Sequence, residues 1–273
     1  PWHQSLPKPA TRTLRCSMAV KRVGTQPPAT TPLPATGSAT MTIPLTDSLG
    51  NALTLHEATS IDAVNDFVEG FIACEARAAN VLQAANDTSA IVQAYCAALH
   101  MFAESADAAH NARPFIDRAL AHAPHGTERE QRFVAAVSAW VDGNVPRAVA
   151  LHQEQAQRYP RDLASLKLGQ YHLFNRGDSP GMLRMALQAL PAAAEVPYLH
   201  GMLAFGWEQC HRLDNAEAAA QRAIALCRKE PWAHHALAHI MLTQGRIAEG
   251  AQFMESVSDT WTGLNSFMVT HNW

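Results

Sequence analysis

One pattern recurs four times through the second half of this chain at a spacing of 34 residues, almost without gaps. Gly143, Gly177 and Gly245 fall at equivalent places, and His211 fills the slot between the last two. Five residues after each come Ala148, Ala216 and Gly250, with Met182 as the large exception, and Ala189, Ala223 and Val257 follow seven residues later. Small residues let the two helices of a hairpin approach closely, and glycine permits the turn between them. One hairpin cannot bury its apolar face alone, so a run of them must stack. The pattern predicts an all-α fold: an α-solenoid of antiparallel helix pairs, with regular units beginning near Arg129, Leu163, Pro197 and Pro231.

Upstream the pattern loosens. Gln93 to Glu128 reads as a divergent first unit, with Ala112, Ile116, Ala119 and Pro124 at the matching offsets. Ser60 is the expected N-cap of a helix running to about Leu82, and Thr88 or Ser89 opens the next. In that second helix Ile91, Tyr95, Leu99 and Phe102 share one face. Residues 1–44 are a different material, rich in Pro, Thr, Ser and Ala, with five Lys or Arg and no acid. They read as a disordered extension before a repeat domain spanning 45–273. Eight prolines there oppose the amphipathic helix of a transit peptide, and Met41 reads as the natural start.

Composition narrows the function classes. With 48% hydrophobic and 16% charged residues, the 273-residue chain can bury a sizeable interior. A net charge of −3 supplies neither the basic stripe of a nucleic-acid binder nor a polybasic membrane patch, so neither partner is expected. Five cysteines, scattered and never in a CxxC pair, indicate no disulfide framework and a reducing, cytoplasmic setting.

Certain segments are more specific than the repeat itself. These are Asp162 to Lys167, Gly177-Asp178-Ser179, Gly181-Met182, Gly201, Ala204-Phe205-Gly206, Glu208, Ala233 to Ile240 with its HxxxH, and the terminal His271-Asn272-Trp273. Through them the chain resembles the tetratricopeptide repeat superfamily, and within it the tetratricopeptide repeat protein 38 family. Two departures stand out: Gln170 and Tyr171 occupy the place of a His-Asp pair in that family, and the chain stops inside the opening of a further helix, as a C-terminally truncated form would. A stack cut there is expected to expose an apolar edge through which two copies could associate.

The resemblance implies that the first helix of each unit lines a concave groove. On that basis the groove residues are Phe133, Trp140, Lys167, Tyr171, Phe174, Tyr198, Phe205, Glu208, Trp232, His235 and His239. Such an aromatic lining with a few charges suits a peptide segment or an extended small molecule. His235 and His239 lie one helical turn apart, and with Glu208 they are the candidates for acid–base chemistry on a bound water. That defines the alternative, a hydrolase-type enzyme. With His271 the same histidines are the candidate ligands of a divalent metal, although no HExxH is present and no cofactor is expected. The first reading is a binding module. No phosphate loop, GxSxG elbow or Cys-His nucleophile pattern accompanies it.

Overall fold

The computed structural model describes residues 43–272. Of the extension expected to be disordered over 1–44, residues 1–42 lie outside the described residues, as do the expected start at Met41 and the terminal Trp273, whereas residues 43 and 44 belong to a strand. Among the described residues, twelve α-helices follow one short hairpin. Strands β1 (Ile43–Thr46) and β2 (Ala52–Leu55) pair antiparallel, with Leu45 opposite Leu53. Asp47 Oδ1 accepts from the amides of Leu49 and Asn51, and Gly50 takes φ 83°, which closes the turn. Leu53 and Leu55 are fully buried, so the hairpin is part of the core.

The helix expected from Ser60 to Leu82 is two elements. Helix α1 (Ile61–Ile72) ends, the chain bends through Cys74 at φ 56°, and a 3-10 stretch (Ala76–Ala84) folds back over it. Gly70 permits the return, since a Cβ there would stand 2.7 Å from the amide nitrogen of Ala78. Ser60 is buried in a preceding 3-10 turn in the αR region and makes no side-chain cap. Ser89 stands at the start of α2 (Ala90–Met101), but its hydroxyl donates to Asp87 and accepts from the His56 amide.

Helix pairs then follow in order. After α2 come α3 (Ala108–His122), α4 (Glu128–Val141), α5 (Val145–Arg158), α6 (Leu163–Asn175) and α7 (Ser179–Ala193). The array continues with α8 (Pro197–Gln209), α9 (Leu213–Leu226), α10 (Pro231–Thr243), α11 (Ile247–Val257) and a last helix α12 (Ser266–Asn272). The architecture is an all-α solenoid of antiparallel pairs.

The turns show why the period exists. Gly143, Gly177 and Gly245 have φ 74°, 72° and 76°, and His211 adopts the same left-handed conformation at 53°. In each turn the next residue's amide reaches back to the preceding helix, as in Asn144 N to Ala139 O and Arg212 N to Trp207 O, a Schellman closure. Side-chain caps open the next helices: Asn144, Asp162, Asp178 and Glu230 each accept an amide three residues on, and Thr127 with Glu130 forms a capping box. Ala148, Ala189, Ala216 and Ala223 are fully buried at the helix crossings.

A buried ion pair ties the hairpin to the array. Arg129 Nη1 lies 2.9 Å from Asp162 Oδ2, and Arg129 Nη2 donates to the Ala52 carbonyl at 3.2 Å. Asp162 also accepts from Gln155 and from the Ser165 amide. The charges are thus removed from water, with the carboxylate met by donors and the guanidinium by acceptors at both terminal nitrogens though not at Nε, which is close to the condition under which such a pair persists.

Candidate binding groove

The 34-residue period brings equivalent positions of α4, α6, α8 and α10 into rows. One row holds Trp140, Phe174, Glu208 and Leu242; a second holds Val137, Tyr171, Phe205 and His239; a third holds Phe133, Lys167, Gly201 and His235. Gly201 has no side chain because the buried Glu230 carboxylate fills that space, 2.6 Å from where a Cβ would be.

These rows do not form one open trough. At the N-terminal end Phe133 is fully buried between Tyr95 and His152, so it is a core residue and offers no surface to a ligand. Trp140 is also buried, packed on Phe102, Tyr171 and His172. Tyr171 is half-buried, and its hydroxyl donates to Glu104 at 2.7 Å. Tyr198 is half-buried in the main core, with its phenol pushed upward by desolvation.

In the middle, the chain occupies its own groove. Residues 73–77 run across the inner helices as a strap. Lys167 donates to the Ile72 carbonyl at 2.8 Å and lies between the rings of Phe71 and Trp232, 5.6 Å from each centre. Glu75 forms an antiparallel bridge with Leu264 and accepts from Lys229 at 2.6 Å. Ala76 N donates to Gly263 O, and Asn265 N to Cys74 O. Beneath these bonds Cys74 packs with Val257, Trp261, Leu264 and Met268. These contacts cover the end of α11 at Val257, the one buried residue of that helix, and leave Leu242 and Ile247 exposed.

At the C-terminal end a continuous strip of rings reaches solvent. Phe174 packs on Phe205, Phe205 on Trp232 and His235, His235 on His271, and His271 on Phe267, with centroids 4.4–6.1 Å apart. The two ends are open: Phe174 is 47% and Phe267 40% exposed. His239 lies 4.1 Å from the His235 ring, and its Nδ1 is 3.5 Å from Glu208 Oε1.

The electrostatics separate these groups. Burial, together with His239 and His271, lowers His235 to about 3, so it stays neutral. Burial likewise lowers His271. For Glu208, burial pushes upward, but hydrogen bonds from His239 and Gln209 outweigh it and hold the carboxyl below its ordinary range. His234, one residue away, is wholly buried; it bonds the Arg228 carbonyl and accepts from Trp261 Nε1, a packing role.

His235 and His271 stack face to face at 29°, so their nitrogens sit on the rims of the rings rather than converging on a common point. Among the described residues no group of three His, Cys, Asp or Glu has an arrangement that could hold a metal. The structure thus brings together Phe174, Phe205, Glu208, Trp232, His235, His239 and the expected His271, and adds Phe267, Phe71 at the end of α1 and the strap residue Cys74. Phe71 and Cys74 carry no periodic signal. Phe267 lies in the segment after the last full unit, where the repeat offers no register.

No family model matches the chain. Similar solved structures include MamA of Desulfovibrio magneticus RS-1, 15% identical at a TM-score of 0.44, covering 60% of this chain and 94% of that one. A MamA RS-1 double mutant gives 15% and 0.44 over 62% of this chain and 94% of its own. A thermophilic TPR protein in Thermus thermophilus is 19% identical at 0.49, covering 66% of this chain and 96% of that one. No helix among the described residues is long and apolar enough to cross a membrane.

Proposed function

We propose that the chain is an interaction module of the tetratricopeptide type, in keeping with its resemblance to the tetratricopeptide repeat protein 38 family, and that it holds an extended peptide along the C-terminal strip. The observation that carries this reading is the unbroken run of rings from Phe174 to Phe267, open at both ends and flanked by one carboxylate, Glu208. Apolar anchors of the peptide cover the exposed rings, and Glu208 with His239 selects a basic or amide group between them. Binding energy concentrates on a few aromatic contacts, each worth roughly 1.5–3 kcal/mol when fully covered.

The hydrolase reading retains one observation, the approach of His239 to Glu208. His235, neutral and 5% exposed, is poorly placed to exchange protons near neutral pH.

Panning a displayed random-peptide library against residues 41–273, then titrating a selected peptide, tests the module. Phe174→Ala and Phe267→Ala each weaken that peptide by about tenfold or more, and His239→Ala by a few fold. A library that yields no binder, or binders indifferent to both phenylalanines, overturns the reading. Cleavage of a panel peptide abolished by His239→Ala would replace it with the enzyme.

A further inference from the structure

Cys74 differs from Cys96 and Cys227 in what its sulfur faces. Cys96 Sγ contacts the Val81 carbonyl and Cys227 Sγ the Lys229 carbonyl, both at 3.5 Å. Cys74 Sγ lies 3.0 Å from the Nζ of Lys167. That amine touches the Ile72 carbonyl and the sulfur, and among the described residues the Glu230 carboxyl acts on it through space without forming an ion pair. The left-handed bend at Cys74 and the bonds on either side of it fix the thiol in this position. Two reactive atoms already at contact distance need little further ordering to combine.

We propose that hydrogen peroxide joins Cys74 to Lys167 through a covalent sulfur–nitrogen bond. In the first step the Cys74 sulfur attacks peroxide: an S–O bond forms, the O–O bond breaks, and the released hydroxide leaves as water. Sulfur is oxidised to the sulfenic acid and peroxide is reduced. In the second step Lys167 Nζ, its ammonium proton given to solvent, attacks that sulfur. The S–N bond forms, the S–O bond breaks, and the departing hydroxide takes the second amine proton as water. One thiol, one amine and one peroxide thus give a sulfenamide and two waters, the condensation known for sulfenic acids with backbone nitrogen.

Exposure favours this route over a mixed disulfide. Cys74 is 6% exposed, which admits a peroxide-sized reagent but hinders a bulky thiol, and leaves Lys167 as the nucleophile in reach. The bridge fastens the strap to α6 across the middle of the groove. A small thiol reductant added to the unfolded chain reopens it.

The test exposes the whole chain to hydrogen peroxide, then unfolds, alkylates and digests it with trypsin for mass spectrometry. The expected result is loss of cleavage after Lys167 and a linked peptide pair two hydrogens lighter than its parts, restored by dithiothreitol. A link retaining one oxygen, made with a second peroxide and releasing three waters in all, supports the same bridge. Lys167→Arg keeps a cation between the rings but has no such nucleophile, and its Cys74 stops at sulfenic or sulfinic acid. Oxidised Cys74 beside a normally cleaved Lys167 in the native chain overturns the proposal. So does a link that persists in Lys167→Arg, or oxidation confined to Cys210 and Cys227.

Discussion

The helices from α4 to α9 and the segments that close over them are held in different ways. Each regular helix packs against its sequence neighbours through small residues, turns and caps that recur with the period. The strap at residues 73–77 meets the segment at 263–265 through a few hydrogen bonds, pairs with Lys229 through Glu75, and sets Cys74 into a cluster with four buried side chains from Val257 to Met268. The first region is stable because each unit supports the next. The second depends on both ends of the chain arriving together. Damage to the first should be global, and damage to the second local.

The largest expected effect is on the buried pair. Arg129→Met strands Asp162 in the core and should cost about 3–5 kcal/mol, read as a lower denaturation midpoint with one cooperative transition. Gly169→Val follows. A Cβ at Gly169 would stand 2.5 Å from Met185 Cε and 2.9 Å from His152 Cβ, so overpacking should cost roughly 1–3 kcal/mol. Both variants should unfold strap and repeats together. If only the strap loosens, the proposed hierarchy is reversed.

Acid should act on both regions. Burial lowers His152 to about 3 and His172 to about 4 within the array, and His235 to about 3 and His234 to about 4 near the closure. Each binds protons more readily unfolded, at the ordinary 6.5, than folded. Their stabilisation is complete above that value and disappears as the pH falls toward 3–4. Hydrogen exchange at pH 7 and pH 4 should show loosening in both regions; His235→Gln should reduce the pH slope.

Glu230 has the opposite sign. Burial raises it to about 7 from 4.5, so the folded chain favours its proton and loses stability as pH rises through that window. Glu230→Gln keeps an acceptor for the Ala233 amide. It should raise the melting temperature at pH 8 by roughly 2–4 °C and change little at pH 4. The smallest effect belongs to Lys229→Met, which breaks a partly exposed pair worth about 1 kcal/mol or less. Its readout is faster exchange at 73–77 and 263–265, with the amides of α4 to α9 unmoved.

The same division governs what could be read from sequence. Helix pairing, the left-handed slots at Gly143, Gly177, His211 and Gly245, and the ring-bearing rows follow from a period of 34, because nearest-neighbour packing repeats whatever enforces it. The bend at Cys74 was hidden because helical spacing continues through it, and only the close approach at Gly70 reveals the fold-back. Phe133 looked like a groove residue by position, yet the divergent N-terminal pair covers it. The hairpin did carry a signal: Leu53 and Leu55 alternate with polar residues after a turn-forming Gly50-Asn51.

The bridge from Glu75 to Lys229 also bears on the order of events during folding. Its partners stand 154 residues apart, whereas contacts between neighbouring helices close loops of only a few tens of residues. Loop-closure entropy grows with that separation and must be met before the contact contributes anything. The array is therefore expected to assemble first, from local pieces, and the strap to dock last. A nascent or refolding chain is then expected to pass through a state with the repeats formed and the groove still unobstructed, which pulsed hydrogen exchange would read as protection of the α4 to α9 amides before those at 73–77. A partner of the strap-covered surface present at that moment competes with the strap for it, and one arriving later must displace it, whereas a peptide on the open C-terminal strip meets no such barrier.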